Sequence, residues 1–309
     1  MRARIRALAI PPAWTDVWIC RDPDGHLQAT GTDAAGRRQP IYHEAWRRRQ
    51  DARKFERITT FARSLPAMRE VVQRDLARDG VPRERVMAAA VRLLDRGTFR
   101  IGSEAYAEQN GSFGLATIRR SHVQIEGSKL VFDYAAKGGV RRIHEVDDEL
   151  LAPLLERLKR RRTGGIELLA YRDDEGRWRD LKSGEVNTYL KSLLGEDHSA
   201  KDFRTWHATV LAAVDIAGAE VHDATSTKRL IAATVRTVAD HLGNTPAVCR
   251  ASYIDPRVFE RFIAGQTLAP SLATIPTGDP TKALELVEDA VLDLLAGSGA
   301  ADASGAVAA

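Results

Sequence analysis

Only two of the 309 residues are cysteine, Cys20 and Cys249, too few and too far apart for a disulfide framework or a structural zinc site. No apolar run reaches 18 residues, and the opening stretch Ala7-Leu8-Ala9-Ile10 stops at Pro11-Pro12. Neither a membrane span nor a secretory leader can be read, so a cytosolic protein is expected. Also missing are GxxxxGK[ST], GxGxxG after a strand, HExxH and CxxC; nucleotide hydrolysis and zinc chemistry have no visible site. Lysine is scarce: nine residues among 46 Lys+Arg. The arginine excess suits bidentate phosphate contacts and equally suits a GC-rich bacterial genome.

What is present allows two domains and a sizeable core, since 44% of the chain is apolar. The net charge of +4 is spread unevenly: residues 1–60 hold 12 Lys/Arg against 7 Asp/Glu, while residues 277–309 hold one Lys against 6 Asp/Glu. A basic body with an acidic tail fits a nucleic-acid partner or simply a solvated surface.

Trp14 to Tyr42 alternates apolar and polar residues around Pro23-Asp24-Gly25 and Gly36, which predicts short antiparallel strands. So few strands make a marginal sheet, and Met1 leads straight into a helix-like RARIRAL. From Glu44 to about Asp95 the pattern is helical, in the segments AWRRRQDARKFERITTFARSL, MREVVQRDLARDG and RERVMAAAVRLLD. Residues 121–146 return to period two and predict a three-stranded meander. Helices follow at about 148–162, 184–194, 201–217 and 226–242. A short one begins at Thr245-Pro246, VFERFIAG forms another, and the last runs from Pro280 with Leu284, Val287, Val291, Leu294 and Leu295 on one stripe. Asp147-Asp148-Glu149 and Asp173-Asp174-Glu175 read as a helix N-terminus and a turn rather than as a two-metal acid cluster.

Six positions could carry chemistry: Arg100 in TFRIGSEAY, Lys137 in YAAKGGV, Lys201 and Arg204 in SAKDFRTWHA, and Asn244 and Tyr253 in LGNTPAVCRASY. Singly, each has an ordinary reading. Arg100 is a surface cation on an amphipathic helix, Lys137 a solvated hairpin lysine, Asn244 a turn residue and Tyr253 half-buried packing. Lys201 and Arg204 are like charges at i, i+3 that cost a little stability. Together, in this order and with this local text, they resemble the type IB DNA topoisomerases, most closely the poxvirus-like and bacterial branch. The resemblance spans residues from about 10 to 275, including the stretch GTDAAGRRQPIY.

The resemblance implies an α+β chain with the DNA breaking-rejoining enzyme fold. Residues 1–50 are expected to form a small β-rich DNA-clamp domain, truncated at its start because relatives carry early strands before this segment. Residues 51–296 are expected to form a mostly helical catalytic domain with a three-stranded sheet, and residues 297–309 a disordered tail. It further implies a monomer of the bacterial nucleoid that closes on duplex DNA as a C-shaped clamp and relaxes supercoils without a cofactor, a metal or an obligate protein partner. Arg37, Arg38, Gln39 and Tyr42 resemble the positions that meet DNA from the small domain.

The implied chemistry suits the residue types. Without a metal, fixed cations must meet the charge on the phosphodiester, and Arg100 and Arg204 can grip its oxygens. Tyr253, with an ordinary pKa of roughly 10, attacks phosphorus more readily when cations favour its phenolate. The expelled 5′ oxygen needs a proton, typically worth roughly 10²- to 10⁴-fold; Lys137 can supply it, with Lys201 assisting, whereas arginine scarcely can. The 3′-phosphotyrosyl product conserves bond energy for religation. Asn244 departs from the pattern, because poxvirus and eukaryotic relatives carry His there; an amide donates a hydrogen bond but no charge. Two other readings stand beside this one. A tyrosine recombinase shares the nucleophile but normally has His-x-x-Arg in place of Lys201-x-x-Arg204 and lacks the GRRQPIY segment; the other reading is a catalytically weak DNA-binding relative.

Overall fold

Alternating residues around tight turns produce three antiparallel strands, β1 (Thr15–Ile19), β2 (Leu27–Thr32) and β3 (Arg38–Tyr42), with β2 central. The protein is seen in a computed structural model that describes residues 2–220, 223–276 and 278–297. Asp33 shapes the β2–β3 turn by accepting from the backbone N–H groups of Ala35 and Arg37. Helix α1 (Arg2–Ala7) is tied to the β1–β2 connection through Arg4, which donates to the Asp22 carbonyl (3.0 Å), Gln28 Oε1 (2.9 Å) and the Cys20 carbonyl.

Helix α2 (Glu44–Leu76) is continuous through Pro66, where two separate helical segments were expected. An internal proline forfeits a backbone bond and costs about 3 kcal/mol. Phe61, Ala62 and Leu65 before it, and Met68, Val72 and Leu76 after it, are all buried, and burial of large side chains at roughly 1.5–3 kcal/mol each outweighs that cost. The chain divides within α2 into two compact units, Met1–Arg57 and Ile58–Ala309.

In the second unit, α3 (Arg83–Gly97) is the central helix, with Val86 to Val91, Leu93 and Leu94 fully enclosed. After α4 (Glu104–Asn110) comes the expected meander, β4 (Val123–Glu126), β5 (Lys129–Ala135) and β6 (Arg141–Asp147), in that order across the sheet. Asp148 caps α5 (Leu151–Arg160), accepting from the N–H groups of Leu150 and Leu151. A hairpin not expected from the pattern, β7 (Ala170–Arg172) and β8 (Trp178–Asp180), flanks the turn that Asp173 closes. Its strands are three residues long, too short to show a period.

The remaining helices are α6 (Ser183–Leu194), α7 (Ala200–Asp215), α8 (Ala224–Leu242), α9 (Pro246–Ser252), α10 (Pro256–Ile263), α11 (Ala269–Leu272) and α12 (Pro280–Ala296). Phe61 meets Phe203 edge to face at 4.9 Å, joining α2 to α7. On α12, Val291, Leu294 and Leu295 are buried as the stripe predicts, while Leu284 is exposed and Glu288 turns inward instead. Gly297 caps α12 in the left-handed conformation; of the tail expected to be disordered, residues 298–309 lie outside the described residues. Among the described residues no helix is long and apolar enough to cross a membrane.

Candidate active site

Arg100 does not ride on a helix. α3 ends at Gly97, and its C-cap Thr98 adopts a left-handed φ of 51°; residues 99–103 belong to no helix or strand, and the Arg100 and Ile101 carbonyls accept from the N–H groups of Leu115 and Ala116 (both 2.8 Å). Phe99 enters the core against Phe132 and His144, whereas the half-buried Arg100 lines the cavity.

Lys201 and Arg204 share a face of α7, but their surroundings differ. Lys201 is exposed, whereas Arg204 is 3% exposed. Arg204 donates through Nη1 to the Thr98 carbonyl (2.5 Å) and through Nη2 to the Leu242 carbonyl (2.8 Å), so it binds the ends of α3 and α8. Cations are favourable at helix C-termini, where carbonyls lack partners. Past α8 the chain turns through Gly243 (φ 63°), and the Asn244 N–H returns to the Ala239 carbonyl at 2.9 Å. Thr245 and Pro246 then start α9. Asn244 is thus held between two helices; its Oδ1 accepts from Arg100 Nη2, which also donates to the Gly243 carbonyl (2.7 Å). Its Nδ2 is buried without a partner among the described residues, as is Arg204 Nε.

Tyr253 caps α9, with its N–H on the Cys249 carbonyl (2.9 Å). The Thr209 hydroxyl of α7, whose shorter bond goes to the Thr205 carbonyl (2.9 Å), lies 3.4 Å from the Tyr253 carbonyl and accepts from the Asp255 N–H (3.1 Å), which ties the backbone after Ile254 to α7. The half-buried Tyr253 ring lies 5.3 Å from the Arg204 guanidinium carbon and 5.9 Å from Lys201 Nζ. Lys137 stands exposed in the β5–β6 turn, where Gly138 (φ 81°) and Gly139 (φ 73°) take left-handed values that only glycine adopts readily.

The fold brings Arg100, Lys137, Lys201, Arg204 and Tyr253 together around one cavity of about 320 Å³. Asn244 lies against it through Arg100. Ser103, Ser112 and Phe113 also line it; Ser103 sits in the same TFRIGSEAY text as Arg100, but nothing in the pattern around Ser112 and Phe113 marks them. Among the described residues no carboxylate forms a salt bridge with any of these four cations. Burial, and then the neighbouring charge of Arg100, push Arg204 down to about 10, with Tyr253 opposing; burial likewise lowers Arg100. A desolvated cation crowded by another is stabilised by an anion placed between them. Two other tyrosines are held as phenols: burial pushes Tyr134, which faces Arg100 and Arg204, up to about 12, and burial together with a hydrogen bond donated to Asp75 raises Tyr189 on α6. Among the described residues no three His, Cys, Asp or Glu side chains converge where a metal could be held.

The residues expected to meet DNA from the first unit lie on β3 and the turn before it. Arg37 pairs with Asp33, holding that carboxyl well below its usual range, and remains 62% exposed. Arg38 donates to Thr30 Oγ1 (2.6 Å), Gln39 donates to Asp33 Oδ2 (2.9 Å), and Tyr42 stacks on Trp46 with ring centroids 4.3 Å apart. The pleat places Arg38 and Tyr42 on one face and Gln39 on the other.

A small β unit, a helical unit with a three-stranded sheet, and an arginine-lined cavity beside a tyrosine define the class of DNA-processing enzymes to which the comparisons point. The family model for the eukaryotic DNA topoisomerase I catalytic core matches residues 43–264, and that for the bacterial DNA topoisomerase IB N-terminal domain matches residues 1–33. The chain is 30% identical over 260 residues to DNA topoisomerase 1B of Acanthamoeba polyphaga mimivirus, covering 81% of this chain and 76% of that protein. It is 23% identical over 269 residues to DNA topoisomerase I of Monkeypox virus and to DNA topoisomerase 1B of Vaccinia virus (strain Copenhagen), covering 83% of this chain and 80% of each. The chain belongs to the type IB DNA topoisomerases, isomerases that act on DNA.

Proposed function

We propose that this chain relaxes supercoiled duplex DNA, without ATP or a metal ion, by nicking one strand through a 3′-phosphotyrosyl intermediate on Tyr253 and resealing it. The observation that carries this reading is the cavity where Arg100, Lys137, Lys201 and Arg204 meet Tyr253 with no carboxylate salt bridge to them among the described residues. In this reading Arg100 and Arg204 hold the non-bridging oxygens of the scissile phosphate, and Asn244 Nδ2, without a partner among the described residues, donates one more hydrogen bond. The cations favour the Tyr253 phenolate, which attacks phosphorus; the bond to the 5′ oxygen breaks, and Lys137 gives that oxygen its proton, assisted by Lys201. Religation reverses these steps. Residues 1–50 serve as the DNA-contacting domain, through Arg37, Arg38, Gln39 and Tyr42, and residues 51–296 as the catalytic domain of a monomer working on double-stranded DNA in the bacterial nucleoid.

Plasmid relaxation with EDTA present and ATP absent tests the reading. Wild type should relax supercoils of both signs, and Tyr253→Phe should bind DNA but relax none. DNA labelled 5′ of the break should leave its label on the peptide containing Tyr253. Label on Tyr189, or residual relaxation by the Phe variant, overturns the assignment; recombinant products without relaxation would favour a recombinase.

A further inference from the structure

The last carbonyls of a helix have no partners within it, and those of α8 are taken up in an unusual way. The Ala239 carbonyl receives the Asn244 N–H, and the Asp240 carbonyl the Gly243 N–H. Three arginines from three separate segments also bind carbonyls of this terminus, one of them Asp240 again. Arg204 of α7 takes the Leu242 carbonyl, and Arg100 takes that of Gly243. Arg142 of β6 takes Asp240 through Nη1 (2.9 Å) and His241 through Nη2. The Arg142 guanidinium also lies flat against Gly243, where an added Cβ would sit 2.9 Å from its Cζ.

Arg142 stands five residues after Lys137, on the second strand of the hairpin whose turn carries that lysine. The adjacent arginines part company. Arg141 faces outward and pairs with Asp133, whereas Arg142 lies opposite the buried Tyr134 and has no carboxylate partner among the described residues. The hairpin has a second footing on β5, where the Ala135 carbonyl accepts from the Phe113 N–H (2.7 Å). Lys137 itself is exposed and makes no side-chain hydrogen bond or ion pair among the described residues. Its place over the cavity is therefore set by where the hairpin is anchored.

We infer that Arg142 is a positioning residue: it ties the hairpin bearing Lys137 to the α8 terminus gripped by Arg100 and Arg204, and so sets the proton donor against the leaving oxygen. This rests on the reading of Tyr253 and Lys137 given above. A misplacement of about 1 Å in a reacting group can cost on the order of 10²-fold in rate, without touching the affinity for the duplex.

The test is single-turnover cleavage by the full chain of two duplexes, one with the ordinary 5′ bridging oxygen and one with sulfur in its place, whose thiolate leaves without a proton. Arg142→Ala should cleave the ordinary duplex roughly 10- to 100-fold more slowly, bind it with unchanged affinity, and cleave the sulfur duplex at close to the wild-type rate. Adding Arg142→Ala to Lys137→Ala should slow the ordinary duplex no further, because the second residue acts through the first. Equal slowing on both duplexes, or defects that multiply in the double variant, would reduce Arg142 to a helix cap and overturn the proposal. Should Arg142→Ala not fold, Arg142→Lys, which keeps the charge at the helix end but not the two-carbonyl grip, should show a smaller slowing with the same recovery on sulfur. Lys137→Ala alone separates the two readings: if it slows both duplexes equally, Lys137 is not the acid and the role for Arg142 falls with it. If only Arg142→Ala behaves so, the acid stands and the positioning role does not.

Discussion

Two arginine clusters lie within one turn of each other along α7 and are neutralised in opposite ways. In the core, Arg69 donates to both oxygens of Asp95 (2.9 Å each) and both of Glu288 (2.6 and 3.0 Å), and Trp206 of α7 adds a bond to Glu288 (2.9 Å). Burial alone would lower the Arg69 pKa, but these hydrogen bonds and charges outweigh it and raise it. Two residues earlier on α7, Arg204 binds two backbone carbonyls and faces Tyr253, with no carboxylate salt bridge among the described residues, and burial lowers its pKa to about 10. The fold thus closes a buried positive charge with two carboxylates in the core, yet among the described residues it gives the cavity arginines carbonyl oxygens and no carboxylate. A carbonyl can orient a guanidinium without cancelling its charge, so the cavity keeps an attraction for phosphate that the core cluster has lost.

The comparison breaks if the two clusters respond alike to mutation. The largest effect is expected from Arg69→Met, which strands two buried carboxylates and should lower the unfolding free energy by about 3–5 kcal/mol. Cleavage per folded molecule should be unchanged, as urea unfolding and an active-site titration would show. Arg100→Ala should do the reverse, slowing cleavage by roughly 10²- to 10³-fold, or about 2.7–4 kcal/mol in the barrier, with a far smaller shift in the urea midpoint. A variant that moves both quantities equally would mean that the clusters are not separable.

His207, one turn beyond Arg204 on α7, faces both clusters and gives a pH test. Its Nδ1 is buried without a partner among the described residues; burial, reinforced by Arg69 and Arg204 and opposed by Asp95, pushes its pKa down to about 4. The unfolded chain takes up this proton near pH 6.5, and the folded chain does not until about pH 4. The stability this neutral imidazole contributes is thus complete above pH 6.5 and is lost as the pH falls toward 4. Unfolding free energies measured between pH 7.5 and 5 should decline, and His207→Asn should flatten the decline. The smallest effect is expected at Asn244. Asn244→His should gain at most about ten-fold in cleavage rate, roughly 1–2 kcal/mol, when the imidazole is protonated. Because Arg100 loses its Oδ1 partner and a new cation enters beside it, the gain should appear only as the pH is lowered; a gain at pH 8 would argue against a charge effect.

The amino-acid sequence by itself determined the local elements and the residue types. Period-two segments became β1 to β6, the Thr245-Pro246 start and the Gly243 stop bounded helices where such residues do, and the LGNTPAVCRASY text placed Asn244 and Tyr253 on either side of α9. These are short-range effects, decided by φ preferences, caps and periodicity within a few residues. Tertiary structure decided the rest. It carried α2 through Pro66 because a buried face on both sides outweighed one lost bond, and it fixed the three-residue strands of β7 and β8 by pairing alone. It moved Arg100 off the helix and into the cavity, occupied Arg37 and Gln39 with Asp33, and turned Arg142 rather than Arg141 toward α8. Such outcomes depend on which carbonyl, carboxylate or ring arrives from a segment up to 144 residues away. No local pattern encodes that arrival, because the free energy that selects it comes from satisfying buried donors and acceptors only after the chain has closed on itself.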